Sequence, residues 1–137
     1  MQISEKSPNE QFSLISNNFL DKYIHSSLLG ISYCSMYYIH NCKITLNITY
    51  QAGPHPQTHE LIGLSELVNK FFCLKISSIK YNKIQCNYQP VEQDLILITF
   101  YSVCEINNKN HNIINSILLK MVDQTPLIVN QIINLFE

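Results

Sequence analysis

Residues 41 to 53 alternate between apolar and polar positions with hardly a fault. Cys42, Ile44, Leu46, Ile48 and Tyr50 fall on one side of an extended strand, and Lys43, Thr45, Asn47, Thr49 and Gln51 fall on the other. Period-two alternation marks a half-buried strand. Upstream, the period is helical: Phe12, Ile15, Phe19, Tyr23 and Ile24 share one stripe. Ser7-Pro8-Asn9-Glu10 supplies the start, with Ser7 as cap, Pro8 at the first helical position and Glu10 completing a capping box. Residues 1–6 are expected to form a loose tail. "HSSLLGISYCSMYY" reads as a turn and a short second helix ending near His40. After the strand, "QAGPHPQTHE" reads as a polar loop. Gly63 then breaks the pattern before a third helix, "LSELVNKFF", with Leu64, Leu67, Val68 and Phe71 turned inward.

Beyond residue 75 the pattern predicts strands at 76–89, 95–106, 112–122 and 127–136. Pro90, the Asn107-Asn108-Lys109-Asn110 cluster and Pro126 mark the turns. The element order predicts one α+β domain over 1–137, with helices packed on one side of a curved antiparallel sheet. On the late strands neither face is polar. Ile96, Ile98, Phe100 and Cys104 oppose Leu97, Thr99, Tyr101 and Val103. Ile113, Ile117, Leu119 and Met121 oppose Ile114, Ser116, Leu118 and Val122, while Val129, Ile133 and Leu135 oppose Ile128, Asn130, Ile132 and Asn134. The first set is purely apolar and belongs under the helices. The second mixes aliphatic and aromatic residues with Thr, Ser and Asn, which is the character of a protein interface. Three helices in so short a chain do not cover both faces, and the strands are too few for a closed sandwich. The second face is therefore expected to meet a partner.

Composition supports that expectation. Of 137 residues, 46% are hydrophobic and only 14% charged, well below the usual quarter. Net charge is −1, and all nine basic residues are lysines. Without arginine there is no bidentate fork for phosphate or guanine, which argues against direct nucleic-acid binding. Five scattered cysteines (Cys34, Cys42, Cys73, Cys86, Cys104) contain no CxxC pair and read as buried reduced thiols. The polar N-terminus has no signal-peptide character, so the formal sequon Asn47-Ile48-Thr49 carries no weight. No apolar run reaches membrane-spanning length, so no membrane insertion is expected. These features suit an intracellular, soluble chain.

Most of Asp21, Asp94, Asp123 and the seven glutamates fall on helix faces, turns or tails, with no pair placed inside the core for acid–base work. His55 and His59 have an i, i+4 spacing, but Pro54 and Pro56 forbid a regular helix there. A solvated loop is expected rather than a metal site. Three glycines leave no phosphate-cradling loop. No cofactor and no catalysis are expected.

Several collinear stretches resemble the nuclear transport factor 2 (NTF2) family. "NNFLDKYIHSSLLGISYCSMYYIHNCKITL" resembles its first two helices and first strand. "LIGLSELVNKFF" is similar to the segment opening its third helix, and "IQCNYQPVEQDLILITFYSVCEI" to its long strand pair. "NSILLK" and "IVNQIINLF" resemble its last strands. The resemblance implies a cone-shaped α+β fold that dimerises through its open sheet face. The strand alternation, independently of the resemblance, places Leu97, Thr99, Tyr101, Ile114, Ser116, Leu118 and Ile132 on that face. Import carriers of Ran-GDP in this family use an aromatic-lined pocket, a Trp-Glu pair and an acidic loop. Here those positions read Leu46-Asn47 and Asn107-Asn108-Lys109-Asn110, which disfavours Ran carriage. Asn47 and Gln89-Pro90-Val91 are similar to the small subunit of the mRNA export receptor, although Asn130-Gln131-Ile132-Ile133-Asn134 lacks that family's Asp and Arg. The resemblance implies a heterodimer with a large mRNA export receptor, support of binding to phenylalanine-glycine (FG-repeat) nucleoporins, and residence at the nucleus and nuclear pore with shuttling to the cytoplasm. A divergent homodimeric import carrier is the alternative, and a small-ligand enzyme of the same fold is the remoter one.

Overall fold

The computed structural model describes residues 8–51, 53 and 55–137. The expected cap Ser7 and tail 1–6 lie outside the described residues. Helix α1 spans Pro8–Leu29, with Phe19, Leu20 and Tyr23 buried and Phe12, Ile15 and Ile24 packed against the core. It runs further than the expected turn at His25. It ends where Gly30, at φ 140°, donates its N–H to the carbonyls of Ser26 and Ser27. A Cβ there would meet the Ser77 carbonyl oxygen at 3.4 Å, so glycine suits both the backbone angle and the close approach. The short second helix is a 3₁₀ helix, Ile31–Tyr37.

Strand β1 spans Tyr38–Thr49 and β2 spans Gln57–Ile62. The second corrects the reading of a loop through residue 60. Gln57 to Ile62 pair in register with Ile48 to Lys43, because the β1 edge offers unpaired backbone groups that even a polar segment can satisfy. Helix α2 spans Leu64–Cys73, and Glu66 Oε1 accepts the Ile62 N–H at 2.9 Å at its start. Strands β3 (Lys80–Glu92), β4 (Leu95–Ile106), β5 (Lys109–Val122) and β6 (Thr125–Phe136) complete the fold. Two tight turns join β4 to β5 and β5 to β6. Asn107-Asn108 and Asp123-Gln124 all adopt positive φ, the pattern of two-residue hairpin turns. Pro90 and Pro126 lie inside β3 and β6, opposite Ile96 and Met121, rather than at the turns.

The six strands form one sheet in the order β2-β1-β6-β5-β4-β3. The sheet is mixed rather than wholly antiparallel, because β1 runs parallel to β6. The helices pack on its inner face, and the whole is the NTF2-like α+β cone. The β1 face of Cys42, Ile44, Leu46 and Ile48 is buried in the core, as its alternation indicated. Two features of the inner face depart from expectation. A bulge near Leu118 and Leu119 shifts the phase of β6, so Ile128 is fully buried while Val129 is only half-buried. The inner set is also not purely apolar: Ser102, Asn115 and Gln131 are buried within it.

Candidate interaction face and interior

On the outer face, cross-strand register places side chains in rows. One row runs Leu97, Leu118, Asn130 and Lys43 across β4, β5, β6 and β1. The next runs Thr99, Ser116, Ile132 and Thr45, and the third Tyr101, Ile114, Asn134 and Asn47. All seven residues assigned to this face from the sequence therefore share it. Tyr101 and Ile132 remain 40% and 44% exposed at the middle of the sheet, and the other five are half-buried. No charged side chain stands on the outer face of β4 to β6 between Leu97 and Val103. Lys43, Glu60, Lys83 and Lys120 sit around it. An uncharged, aromatic-bearing centre inside a charged rim is the anatomy of a protein interface.

Side-chain hydrogen bonds hold the polar members in place. Asn47 Nδ2 donates to Asn134 Oδ1 at 3.0 Å, and Thr58 Oγ1 donates to Asn47 Oδ1 at 2.8 Å. The Tyr101 hydroxyl donates to Asn112 Oδ1 at 2.9 Å. Their donors and acceptors are thus partly matched within the chain, which lowers the cost of desolvating the face against a partner.

Inside the cone lies a neutral polar cluster that periodicity did not reveal. The Tyr38 hydroxyl donates to Gln131 Oε1 at 2.6 Å, so its contact with the Tyr23 hydroxyl, at 2.9 Å, uses the Tyr23 hydrogen. Gln131 Nε2 donates back to the Tyr23 oxygen and to Asn115 Oδ1, each at 3.0 Å. The three residues Tyr23, Tyr38 and Gln131 close a ring in which every hydroxyl hydrogen is used. Burial pushes the Tyr23 phenol up to about 12 and the Tyr38 and Tyr81 phenols well above their usual range. All described carboxylates are at least partly exposed, and none enters this cluster. The only sequence signal for the cluster was the in-phase placement of two amides on strands otherwise apolar on that side.

Recesses flank the core. One, of about 510 Å³, opens at the end of the sheet where β1 and β6 finish, and its floor is formed by Ile48, Leu74, Ile76, Ile106 and Leu135. Its rim carries Asn107, Lys109, Asn110 and His111 from the β4–β5 turn, with Gln51 and Glu137 opposite. A shallower recess of about 250 Å³ shares Gln51, Asn110, His111 and Glu137 and reaches Val103 and Phe136. A third, about 410 Å³, lies between α1, the 3₁₀ helix and the β5–β6 turn. Of the histidines weighed as ligands, His59 lies within β2 and His55 in the bend before it. Cys34, Cys42 and Cys104 are buried and Cys86 is half-buried, but Cys73 is exposed near the end of α2, against expectation.

The fold identifies the class of structure. Nuclear transport factor 2 from Cryptosporidium parvum superposes with a TM-score of 0.70 at 16% identity, covering 91% of this chain and 94% of that one. The yeast complex of deubiquitinase Ubp3 with its cofactor Bre5 contains a chain matching with a TM-score of 0.62 at 20% identity, over 91% and 97%. Proteins grouped with the isomerases and dehydratases share the same fold at 12% and 8% identity. These likenesses establish the NTF2-like fold. In sequence, the chain is similar to uncharacterized protein L295 of Acanthamoeba polyphaga mimivirus, 28% identical over 128 residues. That match covers 91% of this chain and 64% of the viral protein, so the chain spans under two thirds of its relative's length. No protein-family model matches the chain.

Proposed function

We propose that this chain is a non-catalytic adaptor that pairs, through the outer face of its sheet, with the NTF2-like domain of a larger mRNA export receptor. In this role it supports the receptor's binding to phenylalanine-glycine nucleoporins at the nuclear pore. The carrying observation is the uncharged row centre of Leu97, Tyr101, Ile114, Leu118 and Ile132, set on a rigid sheet. A sheet-to-sheet contact of this kind falls near the standard interface of about 1,600 Å² in total. The Bre5 cofactor, with the same fold and a partner protein, supports the adaptor role. The neutral interior supports a non-catalytic reading, since acid–base chemistry needs an ionisable group at the reacting centre.

A homodimeric import-type carrier is the second reading, favoured by the overlay on the Cryptosporidium factor. Against it stands the stretch Asn107-Asn108-Lys109-Asn110 between β4 and β5, which carries no carboxylate where the carriers have their acidic loop. Co-expression of the full chain with an export receptor's NTF2-like domain, followed by light scattering, tests the proposal. A one-to-one complex supports it. A stable homodimer that binds Ran-GDP overturns it.

A further inference from the structure

Strand β3 ends the sheet on the side away from β2, and among the described residues no backbone group pairs with its free edge. An open edge presents a row of N–H and C=O groups to any strand that can align with it. Bulges, lysines and prolines are the usual devices that blunt such an edge. On β3 they stand only at its two ends. Its register with β4 is interrupted between Tyr81 and Lys83 and again between Pro90 and Glu92, with Lys80 and Lys83 at the first break and Pro90 at the second. Between them, Ile84-Gln85-Cys86-Asn87-Tyr88-Gln89 keeps unbroken register and carries no charge.

The side chains along this edge are complementary to their own reversed order. The outer side reads Lys80, Lys83, Gln85, Asn87, Gln89 and Glu92, opposite Glu105, Val103, Tyr101, Thr99, Leu97 and Leu95 of β4. Turned antiparallel about a two-fold axis at Cys86, this row meets that of a second copy with Gln85 opposite Asn87, Lys83 opposite Gln89 and Lys80 opposite Glu92. On the inner side the same axis sets Ile84 opposite Tyr88 and Cys86 opposite its own counterpart. The two bulges lie at matching distances from the axis, so the alignment survives both. Opposite charges and an aromatic beside a branched aliphatic support a strand pair, whereas like charges directly opposite weaken it. A parallel alignment would set each lysine against its own copy. Glu92 makes no ion pair among the described residues, and Lys80 meets Glu105 only at 3.8 Å with both side chains exposed. Both charges are therefore open to a partner strand.

We propose that two copies of this chain pair edge to edge through β3, antiparallel about Cys86, so that their sheets become continuous. The contact lies in the plane of the sheet and leaves the outer face free, so it stands apart from the adaptor reading. The test uses the full chain carrying Ile132→Glu, which removes pairing through the outer face, and Cys73→Ser, which removes the exposed thiol. Directly opposite residues of an antiparallel pair keep their Cα atoms about 4.5–5.5 Å apart, a separation a disulfide spans. Diamide, which takes two electrons and two protons from a pair of thiols, should therefore give a dimer linked Cys86 to Cys86, read by peptide mass spectrometry. Gln85→Lys with Asn87→Lys, both at exposed positions, sets lysines opposite one another and should slow the cross-link at least ~10-fold while the chain stays folded. Glu92→Lys should slow it roughly 3-fold or more, and adding Lys80→Glu should restore it, because the exchanged charges again face each other. No dimer, a dimer linked through other cysteines, or a Cys86 link formed at an unchanged rate in the double-lysine variant overturns the edge pairing.

Discussion

Tyr38→Phe removes one hydroxyl from the buried ring and leaves the packing of the aromatic body intact. Two groups are stranded by it: Gln131 Oε1 loses a donor at 2.6 Å, and the Tyr23 hydroxyl loses its acceptor at 2.9 Å. Both belong to residues no more than 1% exposed, so water does not replace the lost partner. A buried hydrogen bond is worth about 1 kcal/mol net, and each stranded buried group adds about 1–3 kcal/mol, partly relieved by rotation of the Tyr23 hydroxyl. The expected cost is about 2–4 kcal/mol. For a domain of this size that lowers the melting temperature by roughly 6–15 °C. Tyr101→Phe is the matched control: it too loses a hydrogen bond, to Asn112, but at an exposed position, so the cost should stay within about 0.5 kcal/mol. Gln131→Met should cost less in the Tyr38→Phe background than in the natural chain, with a coupling of about 1–2 kcal/mol. Urea unfolding of the natural chain and the four variants reads these values. A Tyr38→Phe cost below about 0.5 kcal/mol would refute the closed ring.

Alkali should destabilise the fold in a set order. The Tyr23 pKa is raised from 10.0 to about 12, so the folded state holds its proton more tightly than the unfolded chain. Stability is thus intact below pH 10 and falls by about 1.4 kcal/mol per pH unit, for this group alone, between pH 10 and 12. Cys104, raised from 9.0 to about 11 by burial, begins the decline nearer pH 9. Melting temperatures measured from pH 8 to 11.5 check both, and Cys104→Ala should delay the onset. In the folded chain Cys73 should react with a thiol reagent first and Cys34, Cys42 and Cys104 only on unfolding, which mass spectrometry of partially labelled protein reads directly. Ile132→Glu should abolish pairing through the outer face while the chain stays folded, because the residue is 44% exposed when unpaired. A complex that survives this change by light scattering would show that another face is used.

Much of the fold was legible because burial imposes a period. The alternation of Cys42, Ile44, Leu46 and Ile48 and the helical stripe through Phe19 and Tyr23 both mark surfaces that pack on the core. The seven outer-face residues follow from the same parity, since a strand with one apolar face has no freedom to slip. What escaped lies where energy comes from partners distant in sequence. Strand β2 is polar and short, and its pairing with β1 decides its conformation rather than its own pattern. The parallel contact between β1 and β6 joins segments about 87 residues apart, such as Asn47 and Asn134, and no local signal encodes it. Gln131 and Asn115 look like surface residues until two tyrosines 15 positions apart are brought to them. The bulge in β6 shifts parity by one, which exchanges the roles of Ile128 and Val129.

The claim that the outer face of β4, β5 and β6 meets a partner is tested most directly by site-specific photo-crosslinking in the native complex. Benzoylphenylalanine replaces Tyr101 on the outer face or Tyr88 on β3, whose β4 neighbour Ile98 lies on the inner side. The expected result is a single high-mass adduct with the partner from position 101 and none with it from position 88. Adducts from position 88 alone, or none from position 101, would contradict it.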